Sequence, residues 1–179
     1  MTDHPAQRVF YVDLSRCTGC DTCVIACKDR ANLADEMDWI RVERQETGVF
    51  PGVHLTFRVV HCFHCARPAC LKACPVSAIG RDNAGWVQID ATRCTGCGAC
   101  IAACPFDAVT LGADGLATKC DGCADQVAGG LEPTCVRACP MRALFFCDPA
   151  TITRPRIADP SWNDHGIGPC VRYGIRPGL

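Results

Sequence analysis

The stretch RCTGCGACIAACPF, residues 93–106, decides how this chain folds. Its cysteines Cys94, Cys97, Cys100 and Cys104 follow the spacing C-x2-C-x2-C-x3-C, and Pro105 comes directly after. The same spacing occurs at Cys17, Cys20, Cys23 and Cys27, where Lys28 replaces the proline. Two further groups keep the opening C-x-x-C and the closing C-x-x-x-C but widen the middle gap. Cys62, Cys65, Cys70 and Cys74 carry x4 there, and Cys120, Cys123, Cys135 and Cys139 carry x11. In chain order these are groups one (from Cys17), two (Cys62), three (Cys94) and four (Cys120).

The repeat runs past the cysteines. CPVSAI at 74–79, CPFDAV at 104–109 and CPMRAL at 139–144 share C-P-x-x-A-aliphatic. After the first, the turn DNAG (82–85) and the segment WVQI (86–89) predict a hairpin; VTL, GADG and LAT (109–118) predict another. LFFC (144–147) predicts a strand, and TCVIAC, ACLKAC and ACIAAC suit one or two helical turns. Between groups one and two lies an insertion, residues 28–61, in which DWIRVE (38–43) and VHLTFRVV (53–60) alternate as strands do. From Asp148 to Leu179 the chain has five prolines, four glycines and little periodicity, so this tail is expected to be disordered or laid across a surface.

Eighteen cysteines in 179 residues mean either disulfides or metal. The N-terminus MTDHPAQRVFYVDLSRC shows no basic region followed by an apolar run and no arginine pair. No stretch reaches the ~18 apolar residues of a spanning helix. The expectation is therefore a cytoplasmic protein without membrane insertion, with export alongside a signal-bearing partner left open. A formal net charge of −1 offers no footprint for nucleic acid.

Three cysteines within seven residues followed by C-P fit iron–sulfur chemistry better than zinc, which prefers two separated C-x-x-C pairs. In the bacterial run C-x2-C-x2-C-x3-C-P, three thiolates wrap one cubane and the fourth serves a second cluster. Glycine in TGC and DGC allows the positive φ of a loop curled on a cluster; proline after the last cysteine fixes the exit from the helix. Sixteen ligands imply four [4Fe–4S] clusters and about sixteen irons. His61 and His64 flank group two, where four cysteines already suffice, and are read as hydrogen-bonding neighbours. Cys147 is read as a small buried hydrophobe and Cys170 as a free thiol, with an extra ligand as its alternative. Cations close to the ligands (Arg16, Lys28, Arg67, Lys72, Arg93, Lys119, Arg137) are candidates for raising cluster potentials, chiefly Lys28, Arg16, Arg93 and Lys119. Nothing in the chain suggests a catalytic site of its own.

The order x2/x2/x3, x2/x4/x3, x2/x2/x3, x2/x11/x3 resembles the four-cluster iron–sulfur subunits of molybdopterin and tungstopterin oxidoreductases. RCTGCDTCVIACKD, CFHCARPACLKACP, RCTGCGACIAACPF and KCDGC…TCVRACPMRAL carry the likeness, which is closest to the subunits of dimethyl sulfoxide, thiosulfate and polysulfide reductases. The resemblance implies an α+β fold of two bacterial-ferredoxin-like modules with pseudo-twofold symmetry and an extended C-terminal tail. Residues 1–61 with 120–147 would form one module, 62–119 the other, and 148–179 the tail. It also implies the ligand sets: Cys17, Cys20, Cys23 and Cys139 for cluster 1; Cys120, Cys123, Cys135 and Cys27 for cluster 2; Cys62, Cys65, Cys70 and Cys104 for cluster 3; Cys94, Cys97, Cys100 and Cys74 for cluster 4. The implied role is single-electron relay between a large molybdenum- or tungsten-pterin subunit and a redox partner. That partner would be a quinone-linked membrane subunit, a flavin- or NAD-linked subunit, or further copies of the chain. A free-standing polyferredoxin and a cluster-bearing protein that assembles into a conducting array are the rival readings. Docking by the tail would drape Arg154, Arg156, Trp162, Arg172 and Tyr173 over a neighbour.

Overall fold

The structure, a computed structural model, describes residues 8–152 and 163–174. Each C-P-x-x-A repeat folds as one tight unit. The closing cysteine caps a five-residue helix: Cys74 ends α2 (Ala69–Ala73), Cys104 ends α3 (Ala99–Ala103) and Cys139 ends α5 (Thr134–Ala138). Three residues on, Ser77, Asp107 and Arg142 take left-handed backbone at φ 50°, 49° and 50°. The turn aims the next N–H back at the cysteine, so Ala78, Ala108 and Ala143 donate to Sγ of Cys74, Cys104 and Cys139 at 3.2, 3.5 and 3.3 Å. The recurring alanine is thus the donor that serves the sulfur.

Group one leaves this pattern. Helix α1 (Thr22–Ala31) runs through Cys27 and Lys28 before ending at Asn32, which adopts φ 48°. The chain then enters a long hairpin of β2 (Ile40–Thr47) and β3 (His54–His61), paired antiparallel from Ile40↔His61 to Thr47↔His54. The shorter hairpins are β4 (Ile79–Arg81) with β5 (Val87–Ile89), and β6 (Thr110–Leu111) with β7 (Ala117–Thr118). Helix α4 (Ala124–Ala128) occupies the x11 gap of group four.

Two strands lie outside the sequence expectation. The run VFYVD forms β1 (Val9–Asp13), buried at all five positions, between β8 (Leu144–Cys147) and β9 (Val171–Gly174). A continuous apolar run without alternation is what a strand covered on both faces requires. It pairs antiparallel with β8 and parallel with β9. The tail is therefore not only a surface strap, because Val171 and Tyr173 are core residues and the Tyr173 hydroxyl donates to Val59 O at 2.8 Å. Tyr173 is accordingly not available for docking, and Arg172 turns back to the carbonyls of Pro169 and Val171. Arg154, Arg156 and Trp162 lie outside the described residues. Cys147 is half-buried rather than buried.

The two modules share the same hydrogen bonds where the chain enters groups one and three. β1 leads into group one through Asp13-Leu14-Ser15-Arg16-Cys17, and β5 leads into group three through Asp90-Ala91-Thr92-Arg93-Cys94. In each, the aspartate accepts from the hydroxyl two residues on (Ser15 and Thr92, both 2.6 Å). In each, its N–H donates to the alanine of a C-P-x-x-A turn, Ala143 O or Ala78 O, at 2.8 Å. Helix α1 packs on α5 and α2 on α3. Where the modules meet, Phe10 sits among His61, Phe146 and Trp86 at ring distances of 4.5, 5.1 and 5.9 Å. No helix of the described residues is long and apolar enough to cross a membrane.

Candidate iron–sulfur centres

The fold gathers cysteines that are distant in sequence. Burial raises the thiol pKa of Cys23 to about 12, and the neighbouring sulfurs of Cys17, Cys139 and Cys20 add to it. Cys17 is raised by burial too, with Cys139 and Cys20 as its thiol neighbours. Cys27, also pushed by burial to about 12, feels Cys123, while Cys120 and Cys135 are raised by complete burial and by Cys27. Cys65 is driven up by burial with Cys62, Cys104 and Cys70 around it; Cys70 reaches about 11, with Cys62 and Cys104 beside it. Cys100 is raised by burial and by Cys94 and Cys74, and a cavity lined by Cys74, Cys94, Cys97 and Cys100 lies among Val76, Ile79, Ile89 and Ala117.

Each set draws three cysteines from one group and one from another, the fourth being the closing cysteine that follows a helix or, for Cys27, sits within one. The sets also touch in sequence. Cys135 of one feels Cys23 of the next, Cys120 feels Cys62, and Cys70, Cys74, Cys94, Cys100 and Cys104 share one apolar cluster. Only Cys20 and Cys97 among the cysteines are exposed. They hold equivalent places in the two CTGC loops, at opposite ends of this series.

These residues fit an iron–sulfur cubane. The sulfurs line a cradle with apolar walls and receive backbone donors: besides the three alanines, Ala117 N–H reaches Cys94 Sγ at 3.4 Å and Gly122 N–H reaches Cys120 Sγ at 3.4 Å. Such donors stabilise charge on thiolate sulfur. Burial raises the thiol pKa of Cys17, Cys23, Cys27, Cys65, Cys70, Cys100, Cys120, Cys123 and Cys135, whereas hydrogen bonds lower exposed Cys20, through Thr22, and Cys74, through Ala78. Thiolate ligation displaces the proton from any thiol that still holds one.

The cations named from sequence divide by environment. Lys119 is buried, and its ammonium donates to Val87 O and to Cys120 O (3.0 Å), next to Cys70, whose pKa it lowers. Lys28 turns away to the carbonyls of Ala34 and Asp35 (3.4 and 2.6 Å) and to the Asp38 carboxylate at 3.2 Å. Arg93 is exposed and donates to Val76 O at 3.0 Å, while Arg16 is half-buried beside Cys17. Arg67, Lys72 and Arg137 are exposed. Arg30, which no motif marks, holds both oxygens of Asp121 at 2.8 and 2.9 Å and also Asp125, tying α1 to the group-four loop. Its half-buried setting becomes visible only when residues 30 and 121 are brought together. His61 and His64 are fully buried beside Cys62 and Cys65. Burial lowers the His61 pKa to about 4 and holds His64 well below the ordinary imidazole value.

Residues 53–149 match the 4Fe-4S dicluster domain family and residues 10–31 the 4Fe-4S binding domain family. Over 149 residues the chain is 42% identical to the B subunit of the anaerobic dimethyl sulfoxide reductase of Escherichia coli, covering 78% of this chain and 73% of that one. It is 40% identical over 144 residues to the thiosulfate reductase electron transfer subunit of Salmonella typhi, covering 78% and 75%. To the iron–sulfur subunit of the nitrate-inducible formate dehydrogenase of E. coli it is 35% identical over 162 residues, covering 80% and 55%.

Proposed function

The chain belongs to the iron–sulfur electron-transfer subunits of the dimethyl sulfoxide and thiosulfate reductase type, and on that premise we propose that it relays single electrons through four [4Fe–4S] clusters. The relay would run between a large molybdenum- or tungsten-pterin catalytic subunit and a further redox subunit. When bound, each cluster supplies a site that takes up or gives back one electron. The observation that carries the reading is the contiguous series of thiol quartets with an exposed cysteine at each end. In this reading Cys17, Cys20, Cys23 and Cys139 hold cluster 1, and Cys27, Cys120, Cys123 and Cys135 hold cluster 2. Cys62, Cys65, Cys70 and Cys104 hold cluster 3, and Cys74, Cys94, Cys97 and Cys100 hold cluster 4. Residues 1–61 with 120–147 and residues 62–119 are the two modules.

The residues of the chain contribute in three ways. Backbone amides and buried Lys119 offset negative charge at the ligands, apolar packing keeps water from the inner quartets, and Arg30 clamps α1 to the group-four loop. Assembly suits a reducing compartment such as the cytoplasm, where sixteen thiols stay free to bind metal. The test is anaerobic affinity purification of the tagged chain from its native host. A large partner carrying molybdenum or tungsten and a pterin is expected, with about sixteen irons per copy of this chain. A chain that purifies alone with its full iron would instead be a free-standing shuttle.

A further inference from the structure

Group two breaks the repeat at one residue. Where the other groups place Gly19, Gly96 and Gly122 before their second cysteine, at φ 66°, 68° and 72°, group two places His64 at φ 43°. The glycines have little room for anything larger: a Cβ on Gly19 would lie 2.3 Å from the Phe57 ring and one on Gly96 2.3 Å from Gly115 O. A histidine kept in left-handed backbone calls for a reason in its side chain.

That side chain is 1% exposed and carries a fixed tautomer. Nδ1 accepts the N–H of Val87 at 3.1 Å, so the ring proton is on Nε2. Among the described residues Nε2 is buried and has no hydrogen-bond partner. A buried donor left unsatisfied is costly, so native structures rarely keep one. The ring meets Trp86 edge-on at 4.8 Å, and a Cβ on Gly122 would lie 3.2 Å from the same indole. His64 therefore stands where the group-two and group-four loops converge, and Cys62 and Cys120 approach each other across this junction. Lys119, His61 and Arg81 are the charged or titratable groups around it.

This inference rests on the four-cluster reading and deepens it: we propose that His64 sets the potential of a cluster at the junction between the modules by donating its Nε2–H to a sulfur there. The reduced cluster carries more negative charge on sulfur, so the bond strengthens on reduction and raises the potential. The repeat departs from glycine at the junction because a donor is needed at that point.

The test uses the full chain, purified anaerobically with its clusters and grown on ¹⁵N-histidine. Pulsed EPR of the reduced wild-type protein should show a histidine nitrogen coupled to one cluster, and His64→Phe should abolish that coupling. In the same variant one of the four midpoint potentials should fall by the equivalent of about tenfold in its reduction equilibrium, about 59 mV for one electron. His64→Gln, which keeps an N–H donor, should recover part of the shift. Absence of histidine coupling in the wild type, or four unchanged potentials in His64→Phe with iron retained, would overturn the proposal and leave Nε2–H directed at the Trp86 ring. If His64→Phe fails to keep its clusters, the wild-type coupling still decides. Wild-type iron well below about sixteen per chain would instead sink the four-cluster reading, whatever His64 does.

Discussion

Lys28 is the residue at which group one departs from its repeats, and the departure is set by the helix it belongs to. In groups two to four the closing cysteine caps a five-residue helix and the next residue is proline. In group one Cys27 sits inside a ten-residue helix that continues to Ala31. A proline at 28 would remove an intrahelical hydrogen bond and clash with the preceding turn, a cost of about 3 kcal/mol or more. Lys28→Ala keeps the helix and loses a partly exposed pair with Asp38, worth about 0–1 kcal/mol. Anaerobic urea unfolding, followed by bleaching of the cluster absorbance, should separate the two. Lys28→Pro should bleach at clearly lower urea and Lys28→Ala near the wild type. Equal midpoints would show that the helix does not depend on this position.

The element that changes most between sequence and structure is β9. Its residues look like part of a Pro/Gly-rich tail, yet Val171 and Tyr173 are buried against β1 and β3. The segment before it runs along the group-two loop: Cys170 N–H donates to Phe63 O at 2.8 Å, Ala66 N–H to Gly168 O at 2.7 Å and Arg67 N–H to Ile167 O at 2.9 Å. From sequence, removal of residues 150–179 is expected to leave iron content intact. The hydrogen bonds of the structure predict the opposite outcome, because the truncation strips the backbone partners of the loop that carries Cys62 and Cys65. Iron analysis of a chain ending at residue 162 should show a loss of about four of about sixteen irons. Full iron in that variant would return the tail to a surface role.

At the scale of the whole molecule the chain is two similar halves that exchange partners. Each half opens with a strand and Asp-x-Ser/Thr-Arg-Cys, passes a hairpin, and closes with C-P-x-x-A and a second strand. Helix α1 packs on α5 and α2 on α3, so on the module and ligand assignment proposed above each module takes cysteine groups from both halves. The exchange puts Cys20 and Cys97 at the exposed ends and the quartets containing Cys120 and Cys65 inside. A chelator under mild oxidation should therefore remove iron in two phases. The fast phase should be about half of the total and come from the end sites. Mössbauer spectra taken after the fast phase should show intact cubanes still in place. Loss of all iron in a single phase would contradict the difference in exposure.

Much of this was legible in the residues. Cysteine spacing, proline exits and glycine at the positive-φ slots are local constraints, imposed by a cluster-sized loop within a few residues, so they appear in sequence as repeated motifs. The hairpins follow from turn residues for the same reason. Other features depend on contacts between residues far apart in the chain, and their signal is correspondingly weak. β1 and β9 are strands because they pair with one another, Arg30 is an ion-pair clamp because α1 meets the group-four loop, and the Lys28 ammonium is taken up by Asp35 O and the Asp38 carboxylate. His64 lies between these cases. Its place in the repeat marks it as an exception, but only the tertiary structure, by assigning Nδ1 to Val87 and leaving Nε2 buried at the junction, gives the exception a physical reason.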